Sequence, residues 1–219
     1  MTGEADARTD WLRAEARLAD GARALGLDVP DAARSRLMTY LEILARWNRV
    51  FNLTAVRDPE EMVVRHLLDS LAIGPYLPPG PLLDVGSGAG LPGVPLALIE
   101  PARPVTLLDR SRKRIDFLTE ICARVGLAHV QLVGRRVEDY RPDHTYAAVT
   151  ARAFAALPDM LAAAGHLLAG EGVLLAMKGA FPAEEIAALP APFAVRAVHA
   201  LDVPGLAAKR HLVVLGRAA

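Results

Sequence analysis

The chain has 219 residues, 53% of them hydrophobic, and its 25 basic side chains balance 25 acidic ones, so the formal net charge is zero. That length suits one medium-sized domain with an extension, and the neutral balance argues against a globally basic nucleic-acid binder while leaving room for a local basic patch. The single cysteine, Cys122, excludes a disulfide framework and points to a reducing, cytoplasmic setting. Met1 to Asp10 is polar and acidic, so no signal peptide is expected, and no apolar run is long enough to span a bilayer.

In chain order, Met1 to Thr9 reads as a frayed end, and Asp10 to Leu25 as a helix closed by Gly26. Asp31 can cap a second helix, in which Leu37, Tyr40, Leu41, Leu44 and Trp47 recur at three- to four-residue spacing; it is expected to stop near Asn48. After a link from Arg49 to Arg57, Asp58-Pro59-Glu60-Glu61 has the form of an N-cap, a proline at the first helical position and acids in the first turn. The third helix carries Met62, Val63, His66, Leu67, Ser70 and Leu71 on one side. Pro75, Pro78, Pro79, Gly80 and Pro81 end it. Residues 1–79 are therefore expected to be a helical extension packed on a core domain formed by residues 80–219.

The core begins with Leu82 to Val85, an apolar run that reads as a buried strand. Gly86, Gly88 and Gly90 follow, and then a helix with Pro92 near its start. Alternating glycines let the backbone turn sharply and let a ligand approach with no Cβ in the way. Gly88 to Gly93 matches the dinucleotide pattern G-x-G-x-x-G, but that match alone is weak. The longer form, Asp84-x-Gly-x-Gly-x-Gly, resembles the first motif of Rossmann-like S-adenosylmethionine (AdoMet) methyltransferases. The ending required of a nucleoside-triphosphate loop is missing.

Strand and helix then alternate. Strands are expected at Val105–Leu108, Val130–Val133, Ala147–Thr150 and Gly172–Met177. Helices are expected from the Ser111 cap to Gly126, over Met160–Leu168 and over Pro182–Leu189. Phe193–Leu201 and His211–Leu215 have no helix between them and read as an antiparallel hairpin. A seven-stranded, mostly parallel sheet ending in such a hairpin is the arrangement of AdoMet methyltransferases, whereas NAD-binding folds are typically all-parallel.

Ligands of doubly wound sheets bind beyond the carboxyl ends of the strands. After the second strand stands Asp109, about 20 residues past the glycine loop, where a carboxylate can accept ribose hydroxyls. After the third stand Arg136, Val137, Glu138 and Asp139, at the position that usually flanks an adenine. After the fourth comes Thr150-Ala151-Arg152-Ala153-Phe154, which lacks the Asp/Asn-Pro-Pro-aromatic string of exocyclic-amine methyltransferases. Carbon-5 chemistry needs a nucleophilic cysteine in this region, and Cys122 lies in mid-helix at core spacing. An acceptor that needs neither device is a ring nitrogen with a free lone pair, such as guanine N7. Methylating N7 places positive charge on the guanine, so Arg152 and Lys178 should grip a carboxylate, O6 or a phosphate rather than sit on the nucleophile. Arg110, Arg112, Lys113, Arg114, Arg124, Arg135 and Arg136 form a basic stretch that reads either as phosphate contacts or as a solvated helix face. Six histidines show no metal-ligand spacing.

Asn52-Leu53-Thr54, Arg65-His66-Leu67-Leu68-Asp69-Ser70, Asp84 to Gly93, Arg152-Ala153-Phe154, Met177-Lys178-Gly179 and Arg210-His211-Leu212-Val213-Val214 together resemble the RsmG (GidB) family, in order and spacing, over nearly the whole chain. The resemblance implies an enzyme that methylates N7 of one guanine in 16S ribosomal RNA near the decoding site. The expected partner is 16S rRNA, in the small subunit or an assembly intermediate, with free RNA left open; no membrane partner is expected, and a monomer is expected with a dimer left open. Carried over, AdoMet contacts fall on Gly86, Leu91, Asp109, Arg110, Ser111, Val137, Glu138 and Arg152, with Ser87, Gly88 and Gly90 in the same loop. Arg152 and Lys178 are the expected catalytic positioning residues, with no general base. Asn52, Arg65, His66, Arg112, Lys113 and Arg135 are the RNA-binding candidates, although a core or interface role is the plainer reading of His66. Ala151 departs from the serine many members carry there. The rival readings are a small-molecule methyltransferase, a non-catalytic RNA or ribosome binder that retains the cofactor loop, and a dehydrogenase.

Overall fold

A computed structural model of the chain describes residues 2–152 and 155–218, the first six of these by backbone alone. Helix α1 spans Thr2–Ala24, so the chain is helical through the segment expected to fray, and Ala14 and Leu18 are fully buried. Helix α2 spans Asp31–Phe51 and buries Leu37, Tyr40, Leu41 and Leu44, each burial stabilising by about 1.5–3 kcal/mol. It starts after Pro30, with Asp31 in its first turn rather than as its cap, and runs three residues past Asn48. Asn48 does not end it. Its side-chain oxygen accepts from the Thr54 N–H and its amide donates to the Val56 carbonyl, which ties the following link back onto the helix.

Asp58 caps α3 (Pro59–Met62) as expected, accepting from the Glu61 N–H at 2.8 Å. The helix continues through a π-helical stretch, Val63–Leu68, into α4 (Asp69–Leu71). At its end the Asp69 N–H is directed to the Val64 and His66 carbonyls and passes over that of Arg65.

The sheet is built from β1 (Leu82–Val85), β2 (Val105–Leu108), β3 (Gln131–Val133), β4 (Tyr146–Arg152), β5 (Leu168–Lys178), β6 (Phe193–Leu201) and β7 (Arg210–Arg217). Their order is β3-β2-β1-β4-β5-β7-β6, with β7 antiparallel to both neighbours and the other pairings parallel. The seven strands and the hairpin stand where the hydrophobic pattern puts them. The strand bounds are wider on β4 and β5, so Arg152 and Lys178 are the last residues of their strands. Between the strands lie α5 (Gly93–Ile99), α6 (Arg112–Arg124), α7 (Leu157–Ala164) and α8 (Ala183–Ala187); α7 starts three residues before the expected Met160 and ends before Leu168, which opens β5, and α8 is shorter than expected.

Side chains alternate across a strand. Leu82, Leu107, Leu175 and Leu212 therefore join one core with α1, α2, the α3–α4 segment, α5 and α6. Leu83, Val85, Leu174 and Val213 join a second core with α7. The helices of residues 1–79 thus share a continuous core with one face of the sheet.

The glycine loop is braced from within. Gly86, Gly88 and Gly90 all have φ between 60° and 89°, a region costly for any residue with a Cβ. Below the loop, Asp84 is fully buried; its Oδ2 accepts from the Gly93 N–H at 3.1 Å, and Thr150 Oγ1 stands 3.3 Å from Oδ1. A Cβ on Gly93 would stand 2.8 Å from that same oxygen. Above it, the buried Tyr40 hydroxyl donates to the Ala89 carbonyl at 2.7 Å, joining α2 to the loop.

Burial raises the Asp84 carboxyl to about 7, the bonds from Gly93, Ser87 and Thr150 opposing it. The folded state therefore holds a proton that the unfolded chain releases near pH 4, and stability falls as pH rises from about 4 to 7. Asp84→Asn should remove this fall, measured as urea-unfolding free energy at pH 4.5 and 7.5. Tyr40→Phe leaves a buried carbonyl without its donor and should cost about 1–3 kcal/mol in the same assay.

Candidate functional site

A cavity of about 340 Å³ opens at the carboxyl ends of β1, β2, β3 and β4. It lies where the sheet order reverses direction, between β1 and β4, the place at which open α/β sheets receive ligands. Its lining includes Gly86, Asp109, Arg110, Val137, Glu138 and Arg152, all expected from the sequence, together with Arg114, Arg135 and Arg136. The structure thus brings to one place residues that are up to 66 positions apart in the chain.

Asp109 is held firmly. Oδ1 accepts from the Ser111 N–H at 2.8 Å, and Oδ2 accepts from the Gly88 N–H at 2.9 Å and from Arg114 at 3.1 Å. A carboxylate offers about four acceptor sites, so one stays open and a second is released if the half-exposed Arg114 swings away. Ser111 is the N-cap residue of α6 but makes its contact through its backbone N–H, not its hydroxyl. Across the cavity, Val137 is buried and the Glu138 side chain is half-exposed beside Arg136, 3.6 Å away. Ser87 and Leu91 are buried, and Gly88 and Gly90 form the loop backbone; these four are not among the lining residues. Ser87 Oγ turns back to the Asp84 carbonyl and serves the loop's shape.

Arg152 lines the cavity and is also tied down on its other side. Its Nη1 donates to the Arg65 carbonyl at 3.0 Å and to Asp69 Oδ2 at 3.3 Å. Asp69 Oδ1 accepts from Arg210 Nε at 2.9 Å. Strand alternation explains the meeting: Ala148 and Leu212 face the helical side, so Arg152, four residues on in β4, and Arg210, two residues before Leu212 in β7, share that face. Asp69 and Arg210 escaped the sequence reading of the site. Both lie in the family-like strings, Asp69 in Arg65–Ser70 and Arg210 in Arg210–Val214, but nothing local in either string shows that they meet.

Lys178 is not brought to the cavity. Its Nζ donates to Glu185 at 2.7 Å and to the Ala155 carbonyl at 2.9 Å, and Glu185 accepts from the Leu157 N–H. These bonds staple the end of β5 to the segment after β4. Ala153 and Phe154 lie outside the described residues.

Of the RNA-binding candidates, His66 is corrected by burial. Its ring is in the interior, Nε2 lies 2.9 Å from Thr54 Oγ1, and burial together with the Arg152 charge lowers its pKa to about 4. At 4% exposure the ring presents almost no surface to a phosphate. Arg65 is half-exposed and 3.8 Å from Glu61. Asn52 is exposed, takes the left-handed conformation that ends α2, and accepts from Arg57. Arg112 is exposed beside Asp116, Lys113 lies 4.4 Å from the centre of the Phe51 ring, and Arg135 is exposed at the cavity rim. Cys122 is buried and its thiol is raised by that burial to about 11, which removes it as a nucleophile. Among the described residues no cluster of His, Cys, Asp and Glu is arranged to hold a metal ion.

The family model described as rRNA small subunit methyltransferase G, GidB, matches residues 33–213. Ribosomal RNA small subunit methyltransferase G of Azoarcus sp. (strain BH72) is 48% identical over 202 residues, covering 92% of this chain and 95% of that protein. The protein of the same name from Pseudomonas aeruginosa (strain LESB58) is 49% identical over 203 residues, with coverage of 92% and 95%. Among solved structures, the glycopeptide N-methyltransferase MtfA complexed with AdoMet superposes with a TM-score of 0.57 at 14% identity, covering 70% of this chain and 88% of that one; this likeness shows the fold. The sheet is that of Rossmann-like AdoMet-dependent methyltransferases, and by the extent of the family match the chain belongs to the rRNA small subunit methyltransferase G (GidB) family.

Proposed function

We propose that this protein transfers the methyl group of AdoMet to N7 of a specific guanine in 16S ribosomal RNA near the decoding site, acting as a monomer in the cytoplasm on the small subunit or an assembly intermediate. The observation that carries the reading is the cavity at the reversal point of the sheet, walled by Asp109 on one side and Glu138 on the other, in a chain of this family.

The residues present fit the cofactor. Asp109 retains acceptor capacity for ribose hydroxyls, Glu138 and the Val137 backbone flank the place of an adenine, and Arg152 offers a guanidinium to the carboxylate of the methionine end. The bound sulfonium would supply an electrophilic methyl group. The chain's part is to hold that methyl in line with a ring nitrogen that carries its own lone pair. No proton has to leave N7, so the reading requires no general base. The Asp69 carboxylate on Arg152 also limits the positive potential that opposes charge arriving on the guanine. Arg112, Lys113 and Arg135 are the proposed phosphate contacts at the exposed rim. No helix among the described residues is long and apolar enough to cross a membrane.

Two outcomes test the reading. Asp109→Asn keeps one acceptor oxygen but loses the charge and should weaken AdoMet binding about tenfold in calorimetry, roughly 1.4 kcal/mol; unchanged affinity would remove Asp109 from the ribose role. The single-turnover methylation rate should be flat between pH 8 and pH 9.5, above the range in which Asp84 ionises; a rise of tenfold per pH unit in that window would reveal a required deprotonation and sink the N7 assignment.

A further inference from the structure

The Asp69 carboxylate is nearly sealed from solvent, its side chain only 2% exposed, and it serves two arginines that lie 83 and 141 residues away in the chain. Arg152 and Arg210 come from different strands, on the two sides of β5. Two guanidiniums brought this close repel one another, and the shared carboxylate between them overcomes that repulsion. Each arginine keeps donors in reserve. Among the described residues, Arg152 uses Nη1, on Asp69 and the Arg65 carbonyl, while Arg210 uses Nε on Asp69 and Nη1 on the Lys209 carbonyl. Toward the other described residues, Arg152 Nε and Nη2 and Arg210 Nη2 make no bond. Both side chains are about a quarter exposed. Arg152 lines the cofactor cavity, and Arg210 lies outside that lining.

We propose that Asp69 is a positioning residue that assembles Arg152 and Arg210 into a divided anion site: Arg152 turned to the cofactor carboxylate, Arg210 to a phosphate of the RNA strand that carries the target base. The inference rests on the functional reading above. Its consequence is that one residue of the helical segment governs affinity for both cofactor and RNA without touching either. The π-helical turn before Asp69 contributes, because it leaves the Arg65 carbonyl available as the second acceptor for Arg152.

The test compares wild type with Asp69→Asn, Asp69→Glu, Arg210→Gln and the Asp69→Asn/Arg210→Gln double variant. AdoMet affinity is read by calorimetry, affinity for 16S rRNA by filter retention over a salt series, and folding by thermal melting. Arg210→Gln should weaken RNA binding about tenfold, lower the slope of log affinity against log salt by about one, and leave AdoMet binding unchanged. Asp69→Asn should weaken both ligands. In the Arg210→Gln background it should cost no further RNA affinity while still costing AdoMet affinity, the pattern of two residues acting as one unit. Asp69→Glu keeps the buried charge but displaces it, so it should hold the melting temperature near wild type while still weakening AdoMet binding; this carries the test if Asp69→Asn does not fold. Unchanged RNA affinity and salt slope in Arg210→Gln, or equal RNA losses from Asp69→Asn in both backgrounds, would overturn the proposal. Because binding is read without turnover, a wild type that binds neither ligand defeats the functional reading instead, and a wild type that binds both while the variants match it defeats this inference alone.

Discussion

A carboxylate taken out of water must be partnered, and two such carboxylates set the architecture around the cavity. Asp84 sits at the end of β1 beneath the glycine loop and holds the first turn of α5 through the Gly93 N–H. Asp69 sits in the helical segment and holds the ends of β4 and β7 through Arg152 and Arg210. The first fixes the floor of the site and the second fixes its wall. Each can stand where it does only because strand alternation aims Thr150, Arg152 and Arg210 at the same face of the sheet.

That arrangement also explains why the helices of residues 1–79 pack into the same core as the sheet instead of forming a separate unit. Tyr40 of α2 reaches the Ala89 carbonyl, Trp47 donates to Glu120 of α6, and Arg36 donates to the Val125 and Gly126 carbonyls at the end of that helix. These polar links cross the boundary at several depths above a continuous apolar layer. A disturbance in α2 is therefore felt at the glycine loop through direct bonds and shared packing.

Much of this was legible in the chain. The apolar runs located the strands, most plainly β1 and β2, which are buried at every position and therefore apolar at nearly every one. The glycine loop and Asp109 marked the end of the sheet at which the cavity opens. What escaped were contacts whose meaning lies in a partner far along the chain. Lys178 stands at a strand end near the site and reads as functional, yet Glu185 and the Ala155 carbonyl claim it. Asp69 sits in a string whose neighbours drew attention to His66, and nothing local shows that Arg152 and Arg210 converge on it. Helix ends were misjudged for a related reason: Asn48 has the composition of a stop, but its side chain is occupied by the following link and α2 continues to Phe51.

The most direct test of the account is transfer of labelled methyl from AdoMet to small ribosomal subunits lacking the modification and, in parallel, to free 16S RNA, with the product mapped by cleavage specific for N7-methylguanine. The account predicts label at a single guanine, lost in Gly86→Asp and strongly reduced in Arg152→Ala. AdoMet binding without label in either RNA, or label on an atom other than N7, would contradict it.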